Sequence, residues 1–234
     1  MKKIIVTVRP VVLLFIVMFQ FSNAASAQVA TLSNWTSLYH GNSSALQNIN
    51  YIVPPGSNTN RLLVVAIASE RTAAGTLSVS LSYGGQTLTL AAGDIGVSSI
   101  QHTALYFLNE AGLDAAGINT TLSVSVSGGT IRMTDVSAAV FDYINQTTPL
   151  TDSKNYNSGS TNVTDFSFSP ALLINSYNQA VEVIAIHNSG SNQFRTITYA
   201  PEWTMVLDQT ATYLVGFTGY SLRNSVDRKS TRLN

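Results

Sequence analysis

Thr76 to Tyr83 reads TLSVSLSY, a strict alternation in which Leu77, Val79, Leu81 and Tyr83 fall on one side and Thr76, Ser78, Ser80 and Ser82 on the other. A period of two is the period of a β-strand with one face buried and one face wet. Gly84-Gly85 follows at once, and Gln86 to Leu90 (QTLTL) resumes the strand character. Two glycines between such runs supply the positive φ angles of a two-residue hairpin turn, so the segment is expected to fold back on itself. A hairpin with one apolar face cannot stand alone in water, and its apolar side needs a second layer.

The same signal recurs along the chain. Arg61 to Ser69 (RLLVVAIAS) is an almost unbroken apolar run, as expected for a strand buried on both faces. Thr103 to Leu108, Thr121 to Val126, Val136 to Tyr143, Thr164 to Phe168, Ala180 to His187, Met205 to Leu207 and Tyr213 to Arg223 complete a series of short strands. Asn109 to Ala116 (NEAGLDAA) is the one stretch with helical character, and Gly112 keeps it short. Many short strands, polar turns and no amphipathic helix predict an all-β, antiparallel β-sandwich of jelly-roll or immunoglobulin-like type. With no cysteine in the chain, the disulfide that marks immunoglobulin domains gives no guide between the two.

Both ends differ from this pattern. Lys2, Lys3 and Arg9 precede an apolar run from Val11 to Phe19, and Ala25-Ser26-Ala27 offers a small-residue cleavage pattern, so residues 1–27 read as a secretory signal peptide. The expected location of the mature chain is therefore extracellular or at the cell surface. No later segment approaches the roughly 20 apolar residues of a membrane helix. Residues 227–234 (DRKSTRLN) hold three of the twelve basic residues and resemble the translation of a sequencing adapter. They are expected to be a non-native tail, with the sandwich domain spanning 28–226 and continuing beyond Val226 in the natural gene. Within 28–226, six basic residues face eleven acidic ones, a formal net charge of −5. Such a balance, without any basic cluster, argues against nucleic acid as a partner.

Arg61-Leu62-Leu63-Val64-Val65, Tyr83-Gly84-Gly85-Gln86-Thr87-Leu88-Thr89, Ala104-Leu105-Tyr106-Phe107-Leu108 and Ala111-Gly112 together resemble a β-sandwich module of secreted bacterial surface and adhesin-like proteins, over about Asn58 to Pro149. The resemblance implies an extracellular structural or binding role and transfers no functional residue.

Catalytic patterns are sparse. The chain contains no G-x-S-x-G or H-E-x-x-H, and His40, His102 and His187 are isolated, which suits hydrogen-bonded structural histidines. Asp142, Asp152, Glu182, Glu202 and Asp208 are available for a glycosidase pair, although any chain of this size offers as many. Asp142 with Asp152 and Asn155 concentrates oxygen ligands in a turn-rich stretch where calcium could sit, while Lys154 between them opposes it. Trp35, Tyr156, Tyr177, Tyr199 and Trp203 fall in or beside expected loops and could stack on sugar rings, although for the two tryptophans the favoured reading is that they plug the ends of the sandwich core. The expected function is thus a non-catalytic exported module for scaffolding, adhesion or glycan binding, with surface proteins or glycans as partners. The alternative is a secreted carbohydrate-active hydrolase or its accessory domain.

Overall fold

The computed structural model describes residues 30–42, 45–56, 60–150 and 153, together with the backbone of strands at 166–167, 180–188, 204–210, 215–223 and 232–233. The strands are β1 (Ala30–Gly41), β2 (Gln47–Asn50), β3 (Leu62–Gly75), β4 (Ser78–Tyr83), β5 (Gln86–Thr87), β6 (Thr89–Gly93), β7 (Ser99–Asn109), β8 (Thr121–Ser127), β9 (Ile131–Asp142), β10 (Phe166–Ser167), β11 (Ala180–Asn188), β12 (Thr204–Thr210), β13 (Val215–Arg223) and β14 (Arg232–Leu233). Among the described residues there is one short helix, α1 (Glu110–Ala116), which joins β7 to β8. The signal peptide and the suspected tail lie outside the described residues, apart from the backbone of β14, which pairs with β10.

The fold is an antiparallel all-β sandwich. Its five-stranded sheet has the order β1-β9-β3-β7-β6 and its four-stranded sheet the order β2-β8-β4-β5. Successive strands cross from one sheet to the other at β1 to β2, β2 to β3, β3 to β4, β5 to β6, β7 to β8 and β8 to β9. Among β1 to β9, only the β4–β5 and β6–β7 connections stay within a sheet. This interleaving is jelly-roll connectivity; an immunoglobulin domain would instead place its first two strands side by side.

Burial follows from the residue pattern of each strand. Odd-numbered Leu63, Val65 and Ile67 of β3 join Val136, Ala138 and Val140 of β9 and Ala104, Tyr106 and Leu108 of β7 on the inner face. They meet Leu81, Tyr83, Leu122, Val124 and Val126 from the four-stranded sheet, and these form the main core. Even-numbered Leu62, Val64 and Ala66 point the other way, into a second cluster with Trp35, Ala139 and Phe141. Two apolar faces explain why β3 and β9 read as continuous runs. Strands β4 and β8, by contrast, keep their serines in water and read as alternating ones. Strand β11 contacts β3 and β7, and β12 contacts β1. Since β3 is flanked by β9 and β7 and its inner face is occupied, the sheet β11-β13-β12 lies against its outer face.

The hairpin forms as its glycines predict: Tyr83 pairs with Gln86, and Gly84 and Gly85 adopt φ of 56° and 84°. The return strand is broken, however. Leu88 turns inward, its N–H donating to the Leu81 carbonyl at 3.0 Å, so β5 stays in one sheet and β6 enters the other. Helix α1 starts at Asn109, whose Oδ1 accepts from the Gly112 N–H at 3.1 Å. Among the described residues, no helix is long and apolar enough to cross a membrane.

Candidate functional site

Polar side chains collect at both ends of the five-stranded sheet. At one end, where β3 begins and β7 ends, Arg61 is held from several sides. Its guanidinium donates to both carboxylate oxygens of Glu110 and, through Nη1 at 3.1 Å, to the Pro54 carbonyl, while its backbone N–H reaches Glu110 Oε2 at 2.6 Å. Gln146 Oε1 accepts from the Glu110 N–H at 2.8 Å, and its Nε2 donates to the Arg61 and Ile144 carbonyls. Burial acts to raise the Glu110 pKa, but the Arg61 hydrogen bonds outweigh it and hold the carboxyl below its usual range. The cluster ties β3, α1 and the segment after β9 into one clamp.

At the opposite end, three strands align Thr134, Ser69 and His102 in one row on the inner face. Ser69 Oγ lies 3.0 Å from Thr134 Oγ1 and donates to the Met133 carbonyl at 3.2 Å. The His102 ring is buried, with Nε2 facing the Ser99 carbonyl at 3.1 Å and Nδ1 the Asp94 carbonyl at 3.3 Å. Neither ring nitrogen is directed at Ser69, so the row lacks the nucleophile-to-base bond of a serine hydrolase. His102 is the hydrogen-bonded structural histidine expected from its position at a strand edge.

On the outer face of the same end, His40 Nδ1 contacts Asp135 Oδ1 and Arg132 Nη1 donates to Glu70 Oε1 at 2.7 Å. Burial is the largest influence on both carboxyls and raises their pKa values, against the lowering effect of His40 and Arg132. Among the described residues, Glu70 Oε2 and Asp135 Oδ2 are buried without a hydrogen-bond partner, as are Nε and Nη1 of Arg71. Apart from His40, these residues were not singled out as candidates. Their signal was there to be found: Ser-Glu-Arg at 69–71 and Thr-Asp at 134–135 cap the polar ends of otherwise apolar strands.

The residues singled out in the sequence are not brought together. Trp35 lies within β1 rather than in a loop, and its ring is only 5% exposed, packed in the outer cluster with Leu62, Val64 and Phe141. That corrects its reading as a displayed stacking platform: an interior ring offers no face to a sugar. Asp142 is fully buried at the end of β9, where its Oδ1 accepts from the Tyr143 N–H at 2.8 Å, and Tyr143 takes a positive φ of 61°. Tyr156, Tyr177, Tyr199 and Trp203 lie outside the described residues, as do Asp152 and Asn155 of the calcium reading. Among the described residues, no group of three or more His, Cys, Asp or Glu side chains is placed to hold a metal ion. Compared with models of known protein families, with curated proteins and with solved structures, the chain matches none of them.

Proposed function

We propose that this chain is an exported, non-catalytic jelly-roll module that serves at the cell surface in scaffolding, adhesion or glycan binding. One observation carries the reading: the clamp at one sheet end and the inner-face row at the other commit their polar groups to holding strands together, while beside that row Glu70, Arg71 and Asp135 keep buried atoms without a hydrogen-bond partner among the described residues. Arg61 is engaged by Glu110 and Pro54, Ser69 by Thr134 and Met133, and the buried His102 ring lies between the main-chain carbonyls of Ser99 and Asp94. Groups committed in this way stabilise a scaffold and are poor starting points for acid–base or nucleophilic chemistry. Double-sheet jelly rolls also include lectin domains, a fold-level analogy in favour of a binding role.

A glycan-binding array run beside a hydrolysis screen on the same full chain tests the proposal. Retention of one or more glycans without turnover is the expected outcome. Turnover that disappears in Asp142→Asn or Glu202→Gln would replace the proposal with the hydrolase reading.

A further inference from the structure

Arg71 is a buried cation for which the chain supplies no acceptor. The residue is 8% exposed, and among the described residues its Nε and Nη1 have no hydrogen-bond partner and it belongs to no ion pair. The carboxylates of the same region are taken: Glu70 holds Arg132, and Asp135 contacts His40. An arginine carries its charge at every ordinary pH, so it cannot escape the cost of burial by shedding a proton, as a lysine can. A buried charge of this kind calls for a partner.

The surroundings are shaped for the guanidinium. Arg71 pairs with Ile131, a residue of the main core, which places it on the inner side of β3. Gly75 at the end of β3 and Gly129 in the turn from β8 to β9 press against it, and from both places the chain crosses between the two sheets. A Cβ on Gly75 would collide with Nη1 and lie 2.7 Å from Nη2, and one on Gly129 would lie 2.5 Å from Nη2 and 3.5 Å from Nε. Gly128 and Gly129 take φ of 121° and 122°, values that L side chains rarely adopt. The ladder is irregular at the same point: Glu70 pairs with Met133 and Arg71 with Ile131, so Arg132 is the extra residue of a β-bulge. Bulges of this kind re-aim side chains beside binding sites. Gly129 is exposed and Gly75 half-buried, so what covers the guanidinium is surface backbone. The chain thus keeps two positions free of side chains to seat a cation, and leaves that cation's donors unused.

We infer that Arg71 is the anchor of an oxyanion site at this end of the sandwich, taking a ligand that offers two oxygens on one centre, as a carboxylate, a phosphate or a sulfate does. A guanidinium presents its N–H donors in a planar fork, and such anions accept two of them side by side. Chloride, a single round acceptor, does not bridge the fork in that way. The inference goes beyond the proposed function and does not depend on whether the module binds glycans.

The test is thermal unfolding of the full chain in sodium phosphate, sodium sulfate and sodium acetate, each against sodium chloride at the same ionic strength, with the affinity read by titration calorimetry. At an anion concentration about ten times its Kd, wild type should gain about 4 °C in Tm over chloride. Arg71→Met keeps a side chain of similar length and removes the charge. It should show no such gain, which separates the site from general salt effects, and should match or exceed wild type in chloride because an uncompensated buried cation is gone. Gly75→Ala keeps the cation but sets a methyl group against Nη1, and should weaken binding at least tenfold. A gain in acetate assigns a planar carboxylate ligand and a gain in phosphate or sulfate a tetrahedral one; each supports the site. An equal gain in wild type and Arg71→Met would overturn it, since the anion would then act elsewhere or through the solvent. No gain in wild type with any of the three anions would overturn it as well. Arg71→Met less stable than wild type in chloride would mean that the guanidinium is satisfied within the chain, and would also overturn the site.

Discussion

Arg61 shows how one side chain can hold a fold's corner. Its partner Glu110 is 7% exposed, and an unpaired carboxylate at that depth loses hydration without compensation. Arg61→Ala is therefore expected to cost about 3 kcal/mol, measured by urea denaturation, because it leaves Glu110 buried and charged. Asp114 also lies near the guanidinium, at 3.7 Å, but its side chain is 71% exposed. Asp114→Ala should change stability by no more than about 0.5 kcal/mol, since water screens an ion pair of that kind. Similar losses in the two variants would contradict the clamp. Residue-scale chemistry was the part least legible in the sequence. That Arg61 precedes an apolar run is visible there, whereas its pairing with Glu110, 49 positions later, depends on how β3 and β7 meet.

At the scale of elements, the hairpin between β4 and β5 gives the sharpest contrast. Both turn glycines have positive φ, which costs an L-residue about 1–2 kcal/mol. Their surroundings differ. A Cβ on Gly84 would lie 2.4 Å from Ala116 Cβ and 2.8 Å from the Asn119 carbonyl oxygen, while one on Gly85 would meet open space. Gly85→Ala should therefore lose about 1 kcal/mol, and Gly84→Ala about 3 kcal/mol or more, because α1 and the segment after it must also move. Equal midpoints in chemical denaturation would show that the helix does not press on the turn. This hairpin was legible because its alternation and its glycines are local. Strand β1 was not: its pairing with β9 is interrupted by three register shifts, and those bulges spoil the period of two that reveals a strand. The break at Leu88 was also hidden, since QTLTL alternates smoothly and only the crossing between sheets divides it into β5 and β6. The layered fold followed from strand patterns, but the choice of jelly roll over immunoglobulin topology depends on which strands cross, and composition does not encode that.

Across the whole molecule, the core is closed partly by tyrosines, and that sets its limit in alkali. Tyr51, Tyr83 and Tyr106 all belong to the main core, and burial raises the pKa of each, that of Tyr106 to about 12. Tyr83 spends its hydroxyl on the Tyr51 carbonyl at 3.0 Å, and Tyr51 Oη reaches Ser33 Oγ at 3.4 Å, while burial alone governs Tyr106. In the unfolded chain these phenols ionise near their ordinary value of 10.0. A raised native pKa means that the folded state keeps protons the unfolded state releases, so the stabilisation is complete below pH 10 and falls as pH climbs towards 12. Tyr106 contributes a loss of about 1.4 kcal/mol per pH unit within that window, and Tyr51 and Tyr83 act in the same direction. Unfolding of the wild type above pH 10 should be cooperative, with tyrosinate absorbance of the core residues appearing together with loss of the folded circular dichroism signal. Tyr106→Phe keeps the ring and removes the ionisable group, so it should be nearly neutral at pH 7 and shift the alkaline midpoint upward, with one proton fewer released in the transition. An unchanged midpoint and proton count in Tyr106→Phe would mean that Tyr106 reaches water before the sandwich opens, and that the two sheets separate locally at β7 ahead of global unfolding.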